Sequence, residues 1–181
     1  MKKIIIISLL LFINFSMSSQ NIGLKTGLSI SNFNKINDFD NTSSRIGISF
    51  GVISEYGQSN IRFSPEIMFN QKGSKEQIHL NTLNLALNTN FYFNDEISLN
   101  IGPSIGYLLS GQNKNSENWM IIDDWTSWNR LEYSGNFGLS YKLNDLLTLE
   151  YMYVLGLSSY LSEGNLKNFS SNIRVSYIFN Y

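Results

Sequence analysis

The chain has 181 residues, including 12 Phe, 10 Tyr and 13 Gly, but 2 Pro and no Cys. Charged residues make up 15%, well below the roughly 25% of soluble domains, so much of the surface is expected to face something other than water. The lack of cysteine excludes disulfides, cysteine-ligated zinc, thiol catalysis and a lipid-modified cysteine anchor, and the formal charge of −1 argues against a nucleic-acid partner.

Residues 1–20, MKKIIIISLLLFINFSMSSQ, read as a secretory signal peptide. Lys2 and Lys3 form a positive start, Ile4 to Phe15 an apolar stretch too short to cross a bilayer, and Ser16 to Gln20 a small, polar cleavage region. Cleavage is expected after Ser19 or Gln20, leaving residues 21–181 as one domain; removing Lys2 and Lys3 takes the formal charge from −1 to −3. Beyond this segment no run of about twenty apolar residues exists, so no transmembrane helix is expected. The domain is then either an exported soluble protein or one that spans a membrane with strands.

Alternation with period two runs through the domain. A first strand, about Asn21 to Asn32, sets Ile22, Leu24, Leu28 and Ile30 against Gly23, Lys25, Gly27 and Ser29. A second, about Ser44 to Tyr56, sets Ile46, Ile48, Phe50 and Val52 against Arg45, Gly47, Ser49, Gly51 and Glu55. A third, about Asn60 to Gln71, sets Ile61, Phe63, Ile67 and Phe69 against Arg62, Ser64, Glu66 and Asn70. A fourth, about His79 to Phe93, sets Leu83, Leu85, Leu87, Phe91 and Phe93 against Asn84, Asn88 and Asn90. The scheme repeats over about Glu96 to Leu109, Arg130 to Leu143 and Leu147 to Ser159, and the sequence ends on FSSNIRVSYIFNY, whose aromatic and aliphatic positions from Phe169 to Tyr181 also alternate. Eight strands result. GQSN and two ND pairs supply tight hairpin turns on one side, while the remaining connections are long. That asymmetry predicts an all-β, eight-stranded antiparallel up-and-down transmembrane β-barrel.

A soluble barrel also alternates, but with its apolar face inward. Here the polar face is rich in Gly, Ser and Asn, which suit a narrow barrel interior. It also carries both signs of charge: Lys25, Arg45, Arg62, Arg130, Lys142 and Arg174 with Glu55, Glu66, Glu132 and Glu150. The apolar face is therefore expected to meet lipid. Tyr56, Phe91, Phe93, Tyr141, Phe179 and Tyr181 would form a periplasmic girdle, and Phe69, Tyr107 and Tyr133 an outer one. An open sheet edge cannot sit in hydrocarbon, so the last strand should pair with the first. Pro65 cannot donate to a ladder, and a bulge is expected there.

Four segments resemble the PorT-like outer-membrane β-barrel family of Gram-negative bacteria: GLKTGLSIS (Gly23 to Ser31), FSPEIMFNQKG (Phe63 to Gly73), LNLALNTNFYF (Leu83 to Phe93, with Ala86 where that motif commonly has proline) and GPSIGYLLSG (Gly102 to Gly111). The resemblance spans the domain. It implies outer-membrane localisation, contact with outer-membrane lipid, insertion by the barrel assembly machinery and, from the named member, a possible outer-membrane or secretion-system protein partner.

The candidate binding residues are Trp119, Trp125 and Trp128, which lie together in the longest outer loop. Their large rings with a single donor suit sugar or protein recognition; they equally suit anchoring in the headgroup zone or packing across the barrel mouth. His79, with Ser74 and Glu76 near it in sequence, could belong to a lipid-modifying hydrolase but sits in no motif, and Asp123 and Asp124 are adjacent and point apart. No catalytic residue, metal ligand or cofactor is assigned. The expected function is non-enzymatic, a structural, adhesion or secretion-accessory role through outer loops. The alternatives are a conduit or binder for small hydrophobic or ionic solutes and, third, a lipid-modifying enzyme.

Overall fold

A computed structural model describes residues 21–34, 43–57, 60–75, 78–115, 118–122, 128–162 and 165–179. The expected signal peptide, Glu76, Asp123, Asp124, Trp125 and Tyr181 lie outside them. The described elements are all strands: β1 (Asn21–Phe33), β2 (Arg45–Glu55), β3 (Ile61–Gly73), β4 (Ile78–Tyr92), β5 (Ile97–Asn115), β6 (Asn118–Ile121), β7 (Leu131–Lys142), β8 (Leu147–Gly156) and β9 (Asn168–Phe179). Each barrel strand pairs antiparallel with its neighbour, and β1 pairs with β9 from Ile22–Phe179 to Phe33–Asn168. The ring therefore closes with eight strands, and the chain's final strand is the one that removes both sheet edges.

The tight turns and both ends of the described barrel gather at one rim. Two of these turns are built alike. The side-chain oxygen of Asn94 accepts the amides of Glu96 and Ile97 at 3.0 and 2.6 Å, and that of Asn144 accepts the amides of Leu146 and Leu147 at 2.9 and 2.8 Å. This short-range Asx closure explains why Asn-Asp recurs at both places.

The packing is inverted relative to a soluble protein. Outward residues such as Ile46, Phe50, Leu85, Phe137 and Tyr151 are exposed, whereas Lys25, Ser49, Glu66, Asn88, Asn100, Glu150 and Arg174 are buried. An eight-stranded ring leaves an interior that side chains fill, so the small polar residues predicted for one face do form the core. Gly51 shows how tightly. Its partner across the ladder is Met68, and a Cβ at Gly51 would strike the Ile67 carbonyl and stand 2.8 Å from the Met68 sulfur. The thioether fills the space that the missing side chain leaves.

Several expectations are corrected. Pro65 makes no bulge: the β2–β3 ladder runs from Ser49–Asn70 to Ile53–Glu66, lapses, and returns at Tyr56–Phe63 in the same register. Proline has no N–H to offer β2, and the strands drop a rung instead of inserting a residue. The shift of register lies elsewhere, between Asn81 and Thr82 against β5, where Leu109 is the extra residue. The fifth strand is longer than alternation suggested. Its 19 residues far exceed the roughly 9–11 needed to cross hydrocarbon, and its end folds back locally, with Gln112–Asn115 pairing Ile121–Asn118 of β6. Arg130 is not in the lumen. It is exposed and donates to the Tyr107 hydroxyl at 3.2 Å, on the outward side of the outer rim.

Candidate functional site

The lumen is organised in layers. At the rim of short turns, Tyr92 donates its hydroxyl hydrogen to Glu55 at 2.7 Å, Arg62 pairs with Glu55 at 3.4 Å, and the Arg62 and Lys142 cations stand 4.4 and 4.8 Å from the Tyr92 ring centre. Alternation places all four side chains on the inward face.

Halfway up, four charges from four strands form a closed circuit. Lys25 of β1 contacts Glu66 of β3 at 2.7 Å and Glu150 of β8 at 3.0 Å; Arg174 of β9 contacts Glu150 at 2.7 Å and Glu66 at 3.5 Å. Their side chains are 2–7% exposed, which charges tolerate only when each is paired. Two cations meet two carboxylates, so the circuit is neutral. Asn88 donates to Glu66 at 3.0 Å, Asn100 to Glu150 at 3.1 Å, and Asn136 to Asn88 at 3.0 Å. The sequence placed all four charges on one face. Glu150 and Arg174 are direct partners across the β8–β9 ladder, but the other three contacts need the ring to close, because β1 meets β8 and β3, and β9 meets β3, only through the lumen.

Small cavities of about 30 Å³ lie below and above this circuit, each with room for about two waters. Lys25 and Glu150 line the lower one, Arg174 the upper one, and Glu66 both, so the four charges are the partition between them. Above the upper cavity Lys72 pairs with Glu132 at 2.6 Å, both buried.

The outer mouth is apolar. Phe33, Ile78, Leu80, Leu108, Ile122, Tyr160 and Leu166 form one buried cluster, with Trp128 and Leu161 half-buried against it. Phe33 and Tyr160 meet edge to face, 6.2 Å between ring centres. Leu80 and Leu108 fall on the inward, otherwise polar register of β4 and β5. That parity was the available signal; the sequence reading assigned neither Leu80 nor Leu108 to a face. The segment between β8 and β9 is clipped over the mouth. The Tyr160 amide donates to the Leu166 carbonyl at 2.9 Å, the Asn129 amide to the Tyr160 carbonyl at 2.7 Å, and the Asn129 side chain to the carbonyls of Ser159 and Leu161, both at 3.1 Å. Burial, and next the negative charge of Glu132, hold the Tyr160 phenol well above its usual range.

The three tryptophans are not brought together as a described site. Trp128 bridges Leu161 and packs on the mouth cluster, Trp119 belongs to β6 through its backbone pairing with Lys114, and Trp125 lies outside the described residues. Ser74 is fully buried and its hydroxyl accepts the Ile78 amide at 3.2 Å, which gives it a part in closing the β3–β4 turn. Among the described residues no three His, Asp or Glu side chains gather as a metal site requires.

A family model described as "Outer membrane protein beta-barrel domain" matches residues 14–162. No match is found among curated proteins. Among solved structures the fold is similar to that of Neisserial surface protein A, with a TM-score of 0.58 and 12% identity over 90% of this chain and 98% of that one. It is also similar to Ail, the attachment invasion locus protein of Yersinia pestis, in complex with the heparin analogue sucrose octasulfate, with a TM-score of 0.53 and 13% identity over 90% of this chain and all of that one. A third similar structure is the N-terminal β-barrel domain of Pseudomonas aeruginosa OprF, with a TM-score of 0.50 and 12% identity over 90% of this chain and all of that one. At such identities the likeness is one of fold.

Proposed function

The chain belongs to the outer membrane protein β-barrel domain family, and from that premise we propose that it is a non-enzymatic surface protein whose barrel is a filled anchor and whose outer end is the working part. The observation that carries this reading is the sealed mouth. The apolar cluster of Phe33, Leu80, Leu108, Tyr160 and Leu166 ties the ends of β1, β4 and β5 to the β8–β9 segment. It thereby holds the described ends of these strands together as one platform, and beside the ion circuit beneath it there is space for only about two waters in each small cavity. Rigid platforms suit macromolecular contact, because less ordering entropy is lost on binding.

The contact is adhesive, structural or accessory to secretion. The name of Ail, the attachment invasion locus protein, points to attachment, and the four PorT-like segments to a secretion-system partner. Trp119, Trp125 and Trp128 are the binding residues in this reading, and export proceeds through the signal peptide of residues 1–20. The assembly machinery inserts the chain, and no nucleic acid or cofactor takes part.

The test is to replace residues 114–119 by a two-residue turn, which keeps the Asn113–Met120 pairing and Ile122 of the mouth cluster and removes Trp119, and to cross-link tagged protein in native outer membranes. The expected result is a barrel that keeps its heat-modifiable gel mobility and loses a stoichiometric cross-linked partner that the parent protein captures. Ohmic conductance of the parent protein in planar bilayers would overturn the filled-anchor reading.

A further inference from the structure

We propose that the lipid-facing wall holds a seat for one hydrocarbon chain, set in the middle of the apolar band where two prolines flank Leu87. Pro65 lies opposite Leu87 across the β3–β4 ladder. On the other side the β4–β5 ladder runs through Ala86–Ser104, lapses, and resumes at Thr89–Ile101 in the same register, which sets Leu87 opposite Pro103. The three residues thus form a row across three strands, and neither proline carries an N–H. Pro65 costs a rung toward β2, and Pro103 costs one toward β4.

The outer surface is indented at this row. Pro65, Leu85, Leu87, Pro103 and Ile105 line a notch of about 270 Å³, with Ala86 and Ser104 at its floor. A closed apolar cavity of about 150 Å³ already accepts a benzene ring, so the volume admits several methylenes. Ala86 and Ser104 are inward residues that also line the upper lumen cavity, so the barrel wall is here one layer of small side chains. The compact proline rings set the walls, and the backbone of Ala86 and Ser104, whose side chains turn inward, forms the floor. On the same face Leu85 and Leu87 remain 57% and 51% exposed.

The occupant follows from continuity with the lipid interface. The notch opens into the band that faces hydrocarbon, its lining is almost wholly apolar, and a void there would forfeit dispersion contacts on every lining atom. Because lipid tails are as apolar as leucine, the preference comes from shape and contact rather than from water release. A flexible acyl chain of a bilayer lipid fits both conditions, and a rigid polar ligand fits neither.

The experiment reconstitutes the full barrel in vesicles of a phosphatidylcholine carrying a diazirine at mid-chain, irradiates them, and maps labelled residues by mass spectrometry. Labelling of Leu85–Leu87 and Pro103–Ile105 is expected to exceed that of Ile173 and Leu28, mid-strand on the opposite wall, by roughly threefold or more, since contact surface differs while the apolar medium does not. Pro103→Leu fills the notch and returns an N–H to face Leu87, so it should fold and should bring labelling down to the level of the opposite wall. Uniform labelling of the parent protein overturns the proposal. So does enrichment that persists undiminished in Pro103→Leu, because the label would then be following depth or reactivity and not the notch.

Discussion

Removing Lys25 tests the physical account of the lumen most directly. Lys25 contacts two carboxylates at 2.7 and 3.0 Å and is 2% exposed. At an effective dielectric near 20, each such contact has a gross attraction of about 5–6 kcal/mol, much of it offset by the loss of hydration. Lys25→Met keeps the length of the side chain and removes the charge. Arg174 then remains the only cation between Glu66 and Glu150, and the buried circuit carries one uncompensated negative charge. The expected loss of unfolding free energy is about 3–5 kcal/mol. The double variant Lys25→Met/Glu66→Gln restores neutrality around the 2.7 Å Arg174–Glu150 pair, and is expected to recover about half of the loss because the two changes are coupled. The assay is urea unfolding of the barrel in lipid vesicles, followed by heat-modifiable gel mobility and tryptophan emission. A single-variant loss below about 1 kcal/mol is what an exposed, screened pair gives. That result, or a double variant no more stable than the single one, would refute the view of a buried, mutually neutralising circuit.

Gly51→Val should block ring closure, since its Cβ meets the Ile67 backbone and the Met68 sulfur; the heat-modifiable band should be lost, whereas Gly135→Ala, whose added Cβ meets only the Phe137 ring at 3.6 Å, should keep it. Asn94→Ala removes the acceptor of two amides and should cost about 1–2 kcal/mol in the same unfolding assay, as should Asn144→Ala. Tyr160→Ala should expose residues 157–167 to protease without unfolding the barrel, because the buried ring is, with Leu166, what sets that segment into the mouth; a large aromatic lost from such a site costs about 3–5 kcal/mol locally. The same segment should loosen in alkali: the folded Tyr160 phenol titrates above its unfolded value of 10.0. Its contribution is therefore complete below that pH and declines as pH rises toward the folded value. Hydrogen exchange of residues 157–167 would show this, and Tyr160→Phe should abolish the pH dependence.

Period-two alternation was enough to set the eight barrel strands and their inward and outward faces, because in a barrel these are decided by the side a residue occupies; the short-turn rim followed from the lengths of the connections, and the closing role of the last strand from the need to leave no sheet edge in hydrocarbon. Lys25, Glu66, Glu150 and Arg174 were legible as lumen residues for the same reason. Only the Glu150–Arg174 pair follows from the register of neighbouring strands. The contacts of Lys25 with Glu66 and Glu150, and of Arg174 with Glu66, are made across the interior, and the sequence does not state distances across a closed ring. The apolar mouth, the β5–β6 hairpin, the exit of Arg130 to the outer surface and the row of Pro65, Leu87 and Pro103 are likewise tertiary facts. Each depends on strand register, and one inserted residue, Leu109, or one dropped rung changes which side chains meet while leaving the alternation in the sequence untouched.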